Sequence, residues 1–192
     1  MLQLTKKAII ESFVKLLNER TLDKIKVKDI AEECGINRNT FYYHFEDIPA
    51  LMEELLRLET ERVLLRDTEE GSWEEAFIQA AEFALQNKRA VYHIYNSAGR
   101  DIVKRYLNAM AEDVMTHFVE RIAQGIAAGE EDKKLVVRLY RAALVGMIED
   151  WLEAGMKYDV ERIIRRVGLL FEGNISRSLE RSAKECRNGY NY

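Results

Sequence analysis

Proline occurs once in the 192 residues and glycine ten times. A sheet protein needs turn residues at each reversal, so this scarcity favours long helices. Cysteine occurs only at Cys34 and Cys186, too few for a disulfide framework. Cys34 lies in an apolar-patterned stretch and Cys186 near a polar tail, so a reduced, cytoplasmic setting is expected. No run approaches the roughly 18–20 apolar residues that span a bilayer, and the N-terminus has no apolar signal core, so no membrane association is expected. Neither charge dominates: 29 Lys/Arg stand against 33 Asp/Glu, a net charge of −4, and the total gives no pointer to nucleic acid. The chain also lacks His-Glu-x-x-His, a glycine-rich phosphate loop, and a Ser or Cys with a His base nearby in sequence. Neither an enzyme nor a cofactor is expected. Asp113 and His117 have a spacing that can hold a metal, but they read as a solvated pair, and no metal is expected.

What is present is a large apolar share, 47%, beside 32% charged residues. That supports a substantial core under a solvated exterior. Residues 1–45 hold eight Lys/Arg and six acids, a balance of +2, and the remainder carries 21 bases and 27 acids, a balance of −6. A mildly basic head on an acidic body permits phosphate binding at one end.

Helical period runs through nearly every segment. Leu4, Ala8, Ile9, Ser12, Phe13, Leu16 and Leu17 form one stripe, with Thr5 as a candidate cap. A short helix is expected over Val27–Cys34, stopped by Gly35, and Asn37 is a good N-cap for another over Arg38–His44. Asp47-Ile48-Pro49 opens a helix reaching about Asp67, with proline tolerated in its first turn. Its stripe is Leu51, Leu55, Leu58, Arg62 and Leu65, and Glu-Glu-Gly at 69–71 ends it. Ser72-Trp73-Glu74-Glu75 is a capping box for a helix to about Gln86. A short helix at 88–96 breaks at Ser97–Gly99. Long helices are expected over Asp101–Ala128, ending at Gly129, then Asp132–Ala154, ending at Gly155, then Asp159–Lys184. The expectation is an all-α fold of about nine helices, three of them in a compact head.

The stretch from Val27 to Phe45 carries the chemistry. It reads as helix, tight glycine turn and second helix, a helix-turn-helix. Ile30, Ala31, Ile36, Phe41 and Phe45 can pack together and against the first helix. Left outside are Arg38, Asn39, Thr40, Tyr42, Tyr43 and His44, a face of donors and aromatics without an acid. Such a face suits a DNA groove: Arg and Asn at the helix start can read base edges, hydroxyls and imidazole can meet phosphates. Lys28 stands at the start of the preceding helix, which also favours phosphate. Plain packing of two aromatics beside a histidine is the bland reading of the same residues.

From Thr5 to about Leu55 the sequence resembles the TetR family N-terminal domain. The resemblance rests on Thr-Lys-Lys-Ala-Ile near the start, Asp29-Ile30-Ala31, Gly35-Ile36, Thr40-Phe41-Tyr42, and His44-Phe45 followed by Leu51. It implies a DNA face of Lys28, Asn37, Arg38, Asn39, Thr40, Tyr42, Tyr43 and His44. Tyr42 and His44 would mainly hold phosphates, and Arg38, Asn39 and Tyr43 would read bases. Ile48 stands where many members have lysine, removing one phosphate contact. Lys26 stands where many have Thr or Ser, so the second helix lacks its usual cap. The Tyr-Tyr-His-Phe-x-Asp-Ile form resembles a subset that includes dihydroxyacetone-kinase regulators, some of which activate.

With that resemblance the division expected is a DNA-binding head, 1–46, and a ligand-binding and dimerisation domain, 47–192, entered through the connecting helix 47–67. A homodimer is expected through the last two long helices. Tyr140, Ala143, Leu144, Met147, Ile148 and Trp151 lie along one side, with Ala142 and Gly146 allowing close approach, and Ile163, Ile164, Val167, Leu170, Phe171 and Ile175 follow. Phe83, Tyr92, His93, Tyr95, Met110, His117, Phe118 and Tyr140, with Met115 beside them, are the candidates for lining an effector pocket, although such a stripe is as readily core. Trp73 and Trp151 read as structural. The function expected is a regulator that binds an operator in double-stranded DNA and leaves it when a small-molecule effector changes the spacing of its two recognition helices. Alternatives are an activator of the same type, or a co-regulator that binds a ligand or a protein without DNA.

Overall fold

The computed structural model describes residues 2–64 and 72–187. Those residues form ten α-helices and a 3-10 turn, with no strand among them. The chain divides into two compact units, Met1–Arg62 with Glu82–Tyr106, and Val63–Ala81 with Leu107–Tyr192. The unit containing the head thus continues past residue 46 and takes in 82–106.

In the first unit α1 (Leu2–Glu19) precedes a 3-10 turn (Leu22–Lys24), α2 (Val27–Cys34), α3 (Arg38–His44) and α4 (Ile48–Leu64). Ile9, Phe13, Leu16 and Leu17 are buried as their spacing predicts, whereas Leu4 is 71% exposed. Thr5 lies inside α1, three residues past its first residue, Leu2. Gly35 takes φ +70°, and the Ile36 N–H closes on the Ala31 carbonyl at 2.9 Å. A side chain there would be strained, which is why glycine ends this helix. Lys26 has no side-chain acceptor to offer α2. Half of the usual reciprocal cap survives all the same, because the Asp29 carboxylate accepts the Lys26 N–H at 2.9 Å. Asp47 caps α4 through the Ala50 N–H, 2.8 Å. The stripe of α4 buries Leu51 and Leu55, with Met52 in addition, and leaves Leu58 exposed. Arg62, Leu65 and the stop at 69–71 lie outside the described side chains.

The first unit also holds α6 (Lys88–Tyr95) and the adjoining ends of α5 (Trp73–Gln86) and α7 (Arg100–Ile122). His93 of α6 places Nδ1 2.7 Å from the Leu17 carbonyl oxygen of α1. Gly99 is packed so closely that a Cβ would lie 2.9 Å from Leu22 Cδ2 and 3.1 Å from Met52 Cε.

The second unit contains most of α7, α8 (Glu130–Glu153), α9 (Val160–Leu170) and α10 (Asn174–Arg187). Three boundaries differ from those expected. The seventh helix stops at Ile122, with the left-handed turn at Gly125, φ +81°, and not at Gly129. Gly129 is instead the extended N-cap of α8, and its N–H is taken by Ser182 Oγ at 2.9 Å. The final helix is two: Gly173, φ +70°, interrupts it between Leu170 and Asn174. Leu144, Ile148, Trp151, Ile164 and Ile175, expected to serve a dimer, are buried within the chain. They come from α8, α9 and α10, and each faces the interior of this unit. The indole N–H of Trp151, for instance, donates to the Tyr158 carbonyl at 3.1 Å.

Candidate nucleic-acid interface and effector cleft

The seven-residue helix α3 owes its orientation to two phenylalanines. Phe41 is fully buried and Phe45 nearly so, their rings 5.9 Å apart. Lys6 of α1 sits over the Phe45 ring, 5.6 Å from its centroid. With that side fixed, Tyr42 is 54% and Tyr43 72% exposed. Arg38, Asn39 and Asn37 are exposed, and Thr40 and His44 half-buried. Burying an aromatic is favourable and leaving one in water is not, so two adjacent exposed tyrosines mark a surface that meets something. Tyr42 is held edge-on against Phe41, centroids 5.6 Å apart, and Tyr43 edge-on against His44 at 5.2 Å.

Local bonds limit two of the expected contacts. Asn37 Oδ1 accepts the Thr40 N–H at 2.8 Å and the Thr40 hydroxyl at 3.1 Å. Asn37 is therefore first the cap of α3, with its amide N–H groups left for a partner, and Thr40 must turn its hydroxyl proton away to meet a phosphate. Lys28 pairs with Glu32 at 3.5 Å, an exposed contact weak enough to exchange for a phosphate. Arg38 has no ion-pair partner among the described residues. The eight residues thus lie in one continuous piece of sequence, on helices fixed by Ile30, Ala31, Phe41 and Phe45 beneath.

The eight pocket candidates are divided between the two units. Phe83, Tyr92, His93 and Tyr95 belong to the first unit, and Met110, His117, Phe118 and Tyr140 to the second. Tyr92 is half exposed, and Phe83 half-buried. His93 is tied to Leu17, and Tyr95 is buried under the Arg100 guanidinium, 4.5 Å from its ring centroid. Met110 and Met115 are core. His117 is exposed, with Nδ1 2.7 Å from the Asp113 main-chain oxygen. Phe118 and Tyr140 do share a cleft, of about 120 Å³, with Trp73, Phe171, Glu74 and Gly168 among its other walls. Burial raises the Tyr140 hydroxyl above its ordinary pKa. From sequence, Trp73 reads as structural and Phe171 as an interface residue, yet both line this cleft. The available signal was Gly168, a lone glycine inside a helical apolar pattern, which marks a close approach. A Cβ at 168 would collide with the Glu74 carboxylate. A second cleft of about 100 Å³ is bordered by Phe77, Met147, Tyr158 and Ile163.

The sequence profile described as "Bacterial regulatory proteins, tetR family" matches residues 9–55, and that of a "Transcriptional regulator C-terminal region" matches 71–173, over half of the chain. No curated protein sequence matches significantly. Among solved structures, the dihydroxyacetone kinase operon activator DhaS is 16% identical, with TM-score 0.74 over 89% of this chain and 96% of that one. A TetR transcriptional regulator from Rhodococcus sp. RHA1 is 17% identical, with TM-score 0.59 over 91% and 99%. NalD of Pseudomonas aeruginosa, the secondary repressor of the MexAB-OprM multidrug efflux pump, is 14% identical, with TM-score 0.56 over 92% and 96%. These identities bear on the fold alone, and the fold agrees with the two profiles. With its helix-turn-helix head and all-helical remainder, the chain belongs to the TetR family of bacterial transcription regulators.

Proposed function

We propose that the chain is a homodimeric, ligand-responsive DNA-binding regulator of the cytoplasm, with residues 1–46 as DNA-binding head and 47–192 as ligand-binding and dimerisation domain. One observation carries the reading: α3 buries Phe41 and Phe45 while exposing Tyr42 and Tyr43, in a segment from Asn37 to Phe45 that contains no acid. Lys28, Asn37, Arg38, Asn39, Thr40, Tyr42, Tyr43 and His44 form the DNA face, with Arg38 and Asn39 reading base edges. A single head spans too few base pairs for specificity, and two heads about one helical turn apart supply the rest.

Support for the dimer comes from apolar side chains left in water. Leu135 and Leu139 of α8 are 57% and 67% exposed, with Ala142, Ala143 and Gly146 along the same stripe, and Leu170 of α9 is 60% exposed. A second copy covering this stripe makes a four-helix interface. The effector occupies the cleft between Phe118 and Tyr140, and it releases the operator by favouring a different spacing of the two α3 helices. In this reading the protein is a repressor. Activation is the second reading, favoured by the similarity in fold to the DhaS activator.

The test is fluorescence anisotropy with the intergenic DNA upstream of the gene. Nanomolar, salt-dependent binding that Tyr42→Ala and His44→Ala weaken broadly, and Arg38→Ala weakens with relaxed sequence preference, is the expected result. Equal affinity for wild type and all three variants would remove α3 from the interface. A reporter gene then separates repression from activation.

A further inference from the structure

The cleft at Phe118 and Tyr140 has an uneven chemistry. Four of its walls are aromatic, Trp73, Phe118, Tyr140 and Phe171; two are carboxylates, Glu74 and Glu172; none is a base. Glu74 is half-buried, and no cation among the described residues pairs with it. Its carboxylate lies over Gly168, the one position on α9 where the absence of a Cβ leaves room for it. The neighbouring Glu75 is differently placed, paired with Arg165 at 2.9 Å.

Two helix N-termini, those of α5 and α10, also border this cleft, and each favours an anion. A helix end carries about half a positive charge, so two ends supply about +1 against the two carboxylates. The lining itself keeps about one negative charge, part of which the Arg121 guanidinium beside Phe118 offsets. Aromatic faces add to the attraction for a cation through the ring quadrupole. The guanidinium of Arg121 rests over the Phe118 ring, 5.3 Å from its centroid, so one face of this ring already holds a cation of the chain and a ligand would meet the rest of it.

Size narrows the class further. An apolar cavity of about 150 Å³ takes benzene, so 120 Å³ holds a compact group and excludes a polycyclic one. We propose that this cleft binds a small organic cation, a quaternary or tertiary ammonium group enclosed by Trp73, Phe118, Tyr140 and Phe171, with Glu74 as its counter-charge. The assignment rests on the reading of this cleft as the effector site and names the ligand class for it.

The experiment titrates the full-length protein with choline, with its neutral isostere 3,3-dimethylbutan-1-ol, and with the anionic isostere 3,3-dimethylbutanoate. Tryptophan fluorescence, from Trp73 in the cleft and Trp151 outside it, and calorimetry report binding. Choline should bind at least tenfold more tightly than either isostere. Glu74→Gln keeps the shape, removes the charge, and should erase most of that preference while leaving the alcohol unaffected. Phe171→Ala, at a half-exposed position that the fold tolerates, should weaken choline several-fold. Absence of choline binding, equal binding of the three probes, a preference for the anion, or full choline affinity in Glu74→Gln overturns the proposal. Choline binding without a change in operator affinity supports the cation site and removes its role as effector site. Release of the operator by another molecule, with no ammonium bound, does the reverse.

Discussion

Nδ1 of His93 sits 2.7 Å from the main-chain oxygen of Leu17, joining α6 to the last turn of α1, 76 residues earlier. A carbonyl only accepts, so the imidazole holds its proton on Nδ1. The last four carbonyls of a helix have no partner within it, and His93 supplies one of them. His93→Ala should lower the stability of the first unit by about 1 kcal/mol, the ordinary value of such a bond. Urea unfolding monitored by circular dichroism measures this. His93→Asn, which keeps a donor, should recover part of the loss, and an unchanged midpoint in the alanine variant would show the bond to be idle.

Stability in acid should depend on Glu54. Its carboxylate receives a hydrogen bond from Arg57 at 2.8 Å and an ion pair from Lys6 at 2.7 Å, tying α4 to α1. The Arg57 hydrogen bond is the largest cause holding its pKa at about 2, below the ordinary 4.5; partial burial opposes it and Lys6 adds to it. A carboxylate whose folded pKa is depressed contributes stability above its unfolded value, lost as pH falls through the folded one. The contribution is therefore complete above about pH 4.5 and gone near pH 2. Glu54→Gln should melt below wild type at pH 7, with the gap closing between pH 4.5 and 2. A gap that stays constant across that range would contradict the assignment.

The helix-turn-helix was legible in sequence because its determinants are local. Gly35 stops one helix, Asn37 starts the next, and Phe41 and the C-cap residue Phe45 stand four positions apart, on one side of α3. The cleft at Phe118 and Tyr140 was not legible for the opposite reason: Trp73, Phe118, Tyr140 and Phe171 come from α5, α7, α8 and the end of α9, spread over about a hundred residues. Apolar periodicity identifies a buried stripe without saying what covers it. That is why Leu144 and Trp151 read as interface residues and prove to be core. Gly129 misled similarly, since a glycine between two helices serves equally as the stop of one or the cap of the other.

Ser182 is a buried polar side chain that its two bonds explain. Its hydroxyl donates to Asp132 Oδ2 at 2.6 Å and accepts the Gly129 N–H at 2.9 Å, pinning the start of α8 to α10. Ser182→Ala takes a partner from a half-buried N–H and a half-buried carboxylate oxygen, at a cost of about 1 kcal/mol. Ser182→Cys, nearly isosteric with weaker bonds, should fall between. Differential scanning calorimetry ranks the three proteins, and an alanine variant as stable as wild type would mean that water replaces the hydroxyl without loss.

Leu139 and Leu144 stand five residues apart on α8, about 140° around the helix at 3.6 residues per turn. Leu139 is 67% exposed and Leu144 3%. If a second copy covers the outer stripe, the two positions must fail differently. Leu139→Glu places a charge in that interface and should dissociate the dimer while each chain keeps its helix content, because the folded chain already tolerates water there. Leu144→Ala opens a cavity inside the second unit and should cost about 2–5 kcal/mol in unfolding free energy without acting directly on association. Sedimentation equilibrium gives the mass, and circular dichroism the stability. Operator affinity should follow the first of these, since a separated head reads half a site. A Leu139→Glu protein that remains a dimer would place the interface on another face of the molecule.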